Sequence, residues 1–137
     1  MIDPAIITAY RETEYRVQDE PAFILRTDVA SAALHEAHRR HSATCSAFLT
    51  ACNPYSHPCS PEDNASRQAS LLSDIRAMSL EVLPGIGQHP GNGWPGEESF
   101  LIFGLDLKTA RSLGLRFEQN ALIWSDADAV PQLILLR

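Results

Sequence analysis

The chain has 137 residues, 45% of them hydrophobic, and a formal net charge of −6, which suits one globular domain, residues 1–137, with its own core. Its few Lys and Arg are scattered apart from Arg39-Arg40, so no basic stripe is offered to a phosphate backbone and nucleic acid is not expected as a partner. No apolar run approaches the roughly 20 residues that span a bilayer, and Met1-Ile2-Asp3-Pro4 lacks the basic start and apolar stretch of a signal peptide; the expectation is a small soluble cytoplasmic protein without membrane contact.

In chain order, Ile6 onward suits a helical turn that leads into an exposed strand, Glu12 to Val17, and Ala22 to Arg26 is a second strand. The two form a hairpin across Gln18-Asp19-Glu20. Asp28 is the expected cap of a helix from Val29 to Arg40, with Ala33, Leu34 and Ala37 as its apolar face. That helix carries His35, His38 and His41. Three-residue steps fan these rings over about 120°, so the series reads as a solvated basic face with Arg39 and Arg40, and no metal site is assigned.

The next stretch holds the best site candidate. Ala47 to Cys52 is an apolar run ended by the polar corner Asn53-Pro54-Tyr55-Ser56, and Ser60-Pro61-Glu62-Asp63 has the cap, the first-turn proline and the acidic residue of a helix start. At 100° per residue, Leu71, Ile75 and Met78 share a face, and the same stripe carries Asn64 and Arg67 inward. An inward Arg needs a carboxylate, backbone carbonyls or an anionic ligand. Either it ties down the corner loop or it binds a ligand. Cys45, Cys52 and Cys59 are seven apart with no C-x-x-C, so neither a disulfide framework nor a zinc knuckle is expected. Cys59, beside a helix start and two residues from His57, is the one thiol with a nucleophile reading.

Leu80 to Leu83 reads as a strand stopped by Pro84-Gly85, and Gly85 to Glu98 as a long loop in which Trp94 either plugs the core or covers the corner as a lid. Ser99 to Leu105, the most hydrophobic strand, should be central. Asp106 caps a helix from Leu107 to Phe117, Gln119-Asn120 makes a corner, and strands Ala121 to Trp124 and Val130 to Leu136 close the chain.

From Ser46 to Trp124 the order is strand, helix, strand, strand, helix, strand. This predicts an α+β fold with a ferredoxin-like split β-α-β core, an N-terminal hairpin and an extra C-terminal edge strand, against the alternative of an α+β sheet with another strand order. Tyr10-x-x-Thr13-x-Tyr15, Phe48-Leu49-Thr50-Ala51, Asn53-Pro54-x-Ser56, Asn64-x-x-Arg67, Leu83-Pro84-Gly85, Glu98-Ser99-Phe100 and Phe117-x-Gln119-Asn120-Ala121 run through nearly the whole chain. With them the sequence resembles an uncharacterised bacterial family, domain of unknown function three-two-nine-three. Cys52 stands where that pattern suggests an aromatic residue and Glu118 where it suggests glycine. The resemblance implies a shared fold and attaches no activity.

Two functions compete on these residues. Asn53, Ser56, Asn64, Arg67, Glu98, Ser99 and Gln119 would gather at one strand end to bind a small anionic ligand such as a nucleotide or phosphate ester, with Glu98 as the carboxylate for any acid-base chemistry. The other reading is a non-catalytic regulatory or immunity-type module whose acidic surface meets a basic protein. No cofactor is implied.

Overall fold

Two strands that are apolar on both faces set the architecture, because each face then needs its own cover of helix. The computed structural model describes residues 1–137. Its elements are helix α1 (Pro4–Glu12), strands β1 (Glu14–Val17) and β2 (Phe23–Leu25), helix α2 (Ala32–Arg40), strand β3 (Ser46–Leu49), helix α3 (Pro61–Ala77), strands β4 (Val82–Gln88) and β5 (Glu97–Phe103), helix α4 (Leu107–Arg116), and strands β6 (Ala121–Ser125) and β7 (Gln132–Leu135). The seven strands make one sheet in the order β2-β1-β4-β5-β3-β6-β7, antiparallel at every pairing. The fold is α+β, with the N-terminal hairpin at one edge and β7 at the other.

Alternate residues of the inner strands serve two cores. Ala47, Leu49, Ile102 and Leu122 pack with Leu71 and Ile75 of α3 and Ala110 and Leu113 of α4. Phe48, Leu101, Phe103 and Ile123 pack on the opposite face with Leu34 and Ala37 of α2 and Tyr15, Val17 and Leu25 of the hairpin. Helix starts follow the sequence signals: Ser60 Oγ accepts the Asp63 N–H at 3.1 Å, and Asp106 Oδ1 accepts that of Thr109 at 2.7 Å.

Three expectations need correction. The second helix starts at Ala32, not Val29, because Asp28 adopts a left-handed turn (φ 64°) and Ser31 is the cap, its hydroxyl accepting the Leu34 N–H at 3.0 Å. The histidine series is not a solvated face. Leu34, Ala37, His38 and His41 form one i, i+3, i+4, i+7 stripe; His38 is buried with Nε2 2.7 Å from Ser46 Oγ, and His41 stacks on Phe103 and pairs with Glu81, leaving His35 exposed. Burial holds the His38 imidazole below its ordinary pKa.

The third correction concerns Pro84-Gly85, which lies inside β4 and does not end it. The Pro84 carbonyl accepts the Gln18 N–H at 2.9 Å, so the hydrogen-bonding edge of this residue faces the hairpin. It sits one position past the Val17↔Gly85 end of that ladder, where a missing N–H breaks no pairing. Gly85 is required by closeness: a Cβ there would lie 2.6 Å from the Arg16 carbonyl oxygen and 2.7 Å from Phe48 Cε2. Gly85→Ala is therefore expected to destabilise by about 1–3 kcal/mol, whereas Gly91→Ala, where a Cβ meets nothing within 4 Å, should stay within about 0.5 kcal/mol. Urea unfolding of the two variants checks this; equal midpoints would contradict the packing assigned to Gly85.

Candidate functional site

β3 leaves the ladder after Leu49, and the chain turns through a corner in which Asn53, Tyr55 and Ser56 all have positive φ (48°, 52° and 62°). Asn tolerates that region because its short amide finds partners close to its own backbone. Asn53 finds four: its N–H donates to Asn64 Oδ1 at 2.9 Å, its Nδ2 to Glu97 Oε2 at 2.8 Å, and its Oδ1 accepts from Asn64 Nδ2 at 2.9 Å and from the Cys59 N–H at 3.0 Å. One side chain thus ties α3 and β5 to the end of β3.

Arg67 is inward-facing, as the helix phase predicts, and its partners are backbone. Nε donates to the Ala51 carbonyl at 2.6 Å and Nη2 to that of Phe117 at 2.5 Å, with a looser contact to Glu118 at 3.5 Å. Next to it, buried Gln68 accepts the Ala51 N–H at 2.7 Å. Arg67 therefore closes the loops on the helical side of the sheet. The groove it borders there, with Ser70, Asp74 and Arg116, is open, and Arg116 already lies 3.4 Å from Asp74.

The opposite face holds a cavity of about 300 Å³ between α1 and the sheet. α1 buries no residue; its Ala5, Ile6, Ala9 and Tyr10 roof the cavity, Phe48, Thr50 and Ser99 floor it, and Trp94 stands 51% exposed at its mouth. The roof is pinned by polar contacts. The Tyr10 and Ser56 hydroxyls are 2.6 Å apart, Asn120 Nδ2 donates to both at 3.1 and 3.2 Å, and the Tyr15 hydroxyl donates to the Tyr10 carbonyl at 2.6 Å. Burial pushes the Tyr15 phenol well above its usual range.

The expected site residues therefore divide. Ser56, Ser99 and Gln119 line the cavity, Asn53 stands at its edge through Glu97, and Asn64 and Arg67 brace the corner from the far side. Glu98 is exposed on the α3 face, and the carboxyl at the corner belongs to Glu97, one residue earlier on the face of Ser99. The sequence reading also missed Tyr10, Tyr15, Gln68 and Asn120. Tyr10-x-x-Thr13-x-Tyr15 was the signal for the two tyrosines and Phe117-x-Gln119-Asn120-Ala121 that for Asn120, both read only as family resemblance, while Gln68 stood in no motif. Trp94 is not a core plug, and the expected long loop shrinks to residues 89–96 because 85–88 and 97–98 are paired strand. Cys52 is buried and its thiol is held above the ordinary pKa by burial, while no hydrogen bond joins Cys59 to His57.

Glu97 is the chemically distinctive group. Burial raises its pKa, and the Asn53 amide only partly opposes that.

An antiparallel α+β sheet with a covered cavity on one face and a polar corner at its rim defines the class. Over residues 49–122, more than half of the chain, the sequence matches the family described as "Protein of unknown function (DUF3293)", and the chain belongs to that family. The matched stretch runs from the end of β3 to β6 and contains the whole corner except the Tyr10–Tyr15 contribution. Comparison with curated proteins and with solved structures gave no match.

Two outcomes are expected. Arg67→Ala should cost about 3 kcal/mol, because two buried carbonyls lose a charged donor, against under about 0.5 kcal/mol for exposed Arg76→Ala; equal melting temperatures would contradict the bracing role. For Glu97, the folded pKa lies above the unfolded one, so the native state binds more protons and stability falls as pH rises from the ordinary glutamate value through the folded value. Glu97→Gln should thus melt higher than wild type at pH 7, with the gap closing below the ordinary glutamate range. A less stable variant at pH 7 would contradict this.

Proposed function

We propose that the chain binds a small molecule in the cavity beneath α1, with Glu97 as the principal polar contact. The observation that carries this reading is a half-buried carboxyl with a single protein partner in the wall of an otherwise well-bonded cavity. A purely structural carboxyl in that position would be expected to collect more donors or a cation, since an ionised group with one amide partner is costly to keep out of water. Sites that lower stability in this way are commonly retained for binding or chemistry. Glu97, not Glu98, is then the group that acid-base chemistry in the cavity would use, if the bound molecule is also transformed.

The strand order supports a finer description of the fold. The four inner strands β4-β5-β3-β6, with α3 and α4 on one face, have the order and antiparallel pairing of a ferredoxin-like split β-α-β unit, extended by the hairpin and β7. In that description α1 and α2 are additions to the open face, and the cavity lies under an addition. The nucleotide or phosphate-ester class remains the competing ligand chemistry, and the non-catalytic module with a basic protein partner is the competing function.

A thermal-shift panel of nucleotides, phosphate esters, organic acids, amines and neutral metabolites tests the reading, since a ligand at 100 times its Kd adds about 2.7 kcal/mol. At least one class should raise the melting temperature of the wild type and fail to raise that of Ala9→Phe, which fills the cavity from its roof. Shifts that survive in Ala9→Phe, or no shift with any class, would contradict it and favour the interaction module.

A further inference from the structure

We infer that the ligand of the Glu97 cavity carries a protonated amine or a similar cationic group rich in N–H donors, an inference that rests on the cavity being a binding site. Most polar side chains of the wall already have partners within the protein. The Tyr15 hydroxyl donates to the Tyr10 carbonyl, Thr13 Oγ1 to that of Ala9 at 2.7 Å, Thr50 Oγ1 to that of Glu98 at 2.6 Å and Ser99 Oγ to that of Glu97 at 3.0 Å. The Gln119 amide gives both its protons to the Cys52 and Phe117 carbonyls at 3.0 and 3.1 Å. His89 Nδ1 accepts from the Gly91 and Asn92 N–H groups at 3.0 Å, which puts the proton of the neutral ring on Nε2, turned toward Glu12 at 3.4 Å.

After these bonds the interior wall keeps one donor, the second proton of the Tyr10–Ser56 hydroxyl couple; the other unengaged donors, Asn92 Nδ2 and Trp94 Nε1, are at the exposed rim. The side-chain acceptors left without any hydrogen bond are Glu97 Oε1 and Gln119 Oε1. Neither is a sealed, orphaned atom, and both residues line the cavity. An anion would meet a carboxylate and almost no donors. A donor-rich cation meets two acceptors, one of them charged, among the aromatic side chains of Tyr10, Tyr15, Phe48 and Trp94. Of the two guanidiniums near the corner, Arg67 is on the other side of the sheet on the Ala51 and Phe117 carbonyls, and Arg137 is outside the cavity lining, with Nη1 on Asn120 Oδ1 at 3.1 Å and Cζ 4.1 Å from the centre of the Tyr55 ring.

Three probes of one shape and three charges decide the point: phenethylamine, 2-phenylethanol and phenylacetate, titrated calorimetrically into wild-type protein and Glu97→Gln at pH 7.5. The expected result is that the amine binds wild type about tenfold or more tighter than the alcohol or the acid, and that Glu97→Gln, which retains the acceptor for Asn53, removes most of that preference. Equal affinity of the three probes, tighter binding of phenylacetate, or an amine preference that survives in Glu97→Gln would overturn the inference. So would binding by none of the three while another class from the panel still binds in an Ala9→Phe-sensitive way, a result that leaves the cavity itself as a binding site. If nothing binds at all, both readings fall together.

Discussion

Asn53 holds the corner together, and much of the rest of the molecule is arranged by what that one side chain satisfies. It sits in a left-handed conformation at the point where β3 ends, and its amide reaches the start of α3, the loop before it and the carboxyl of Glu97. No other short side chain offers both a donor pair and an acceptor to three segments at once. Aspartate would keep the acceptor and place a second negative charge 2.8 Å from Glu97. The Asn53–Asn64 exchange fixes the first turn of α3, α3 in turn carries Arg67 to the Ala51 and Phe117 carbonyls, and the corners after β3 and α4 are thereby locked to one another. Glu118 in the second corner has φ 58°, a left-handed conformation that glycine would adopt without steric cost.

The two faces of the sheet then have different energetics. On the α3–α4 side, apolar helix stripes bury Leu71, Ile75, Ala110 and Leu113 against the strands, and the hydrophobic effect holds the layer. On the other side α2 does the same for half of the face, with Leu34 and Ala37. α1 does not: it buries nothing fully and is held by hydroxyl and amide contacts around Tyr10, Ser56 and Asn120. Hydrogen bonds of that kind each contribute about 1 kcal/mol net, so α1 is expected among the least stable elements of the fold.

What the sequence disclosed follows the same division. Helices with a cap and an apolar stripe, such as Ser60 before α3 and Asp106 before α4, were legible because local chemistry specifies them. The inward direction of Arg67 was legible for the same reason, since helical phase fixes direction once Leu71 and Ile75 are placed. The register of β5 was not. Phe100, Leu101, Ile102 and Phe103 are apolar without alternation because both faces are covered, so period two gives no sign of which of the adjacent Glu97 and Glu98 points into the cavity. β4 was cut short at Pro84 because a proline inside a strand is harmless only where its N–H side lacks a partner, and that depends on where a neighbouring strand ends. The cavity was invisible because the stretch from Ile6 reads only as a helical turn before a strand, which gives no sign of whether it covers a core or a void.

Glu97 lines the cavity as a half-buried carboxyl satisfied by Asn53 alone, and burial disfavours its charged form. A ¹³C NMR titration of the Glu97 side-chain carboxyl measures this directly in the folded protein. The account predicts a midpoint above the ordinary glutamate range, displaced upward by burial. A midpoint at or below that range would mean that the carboxyl is solvated or paired with a cation, and would contradict it.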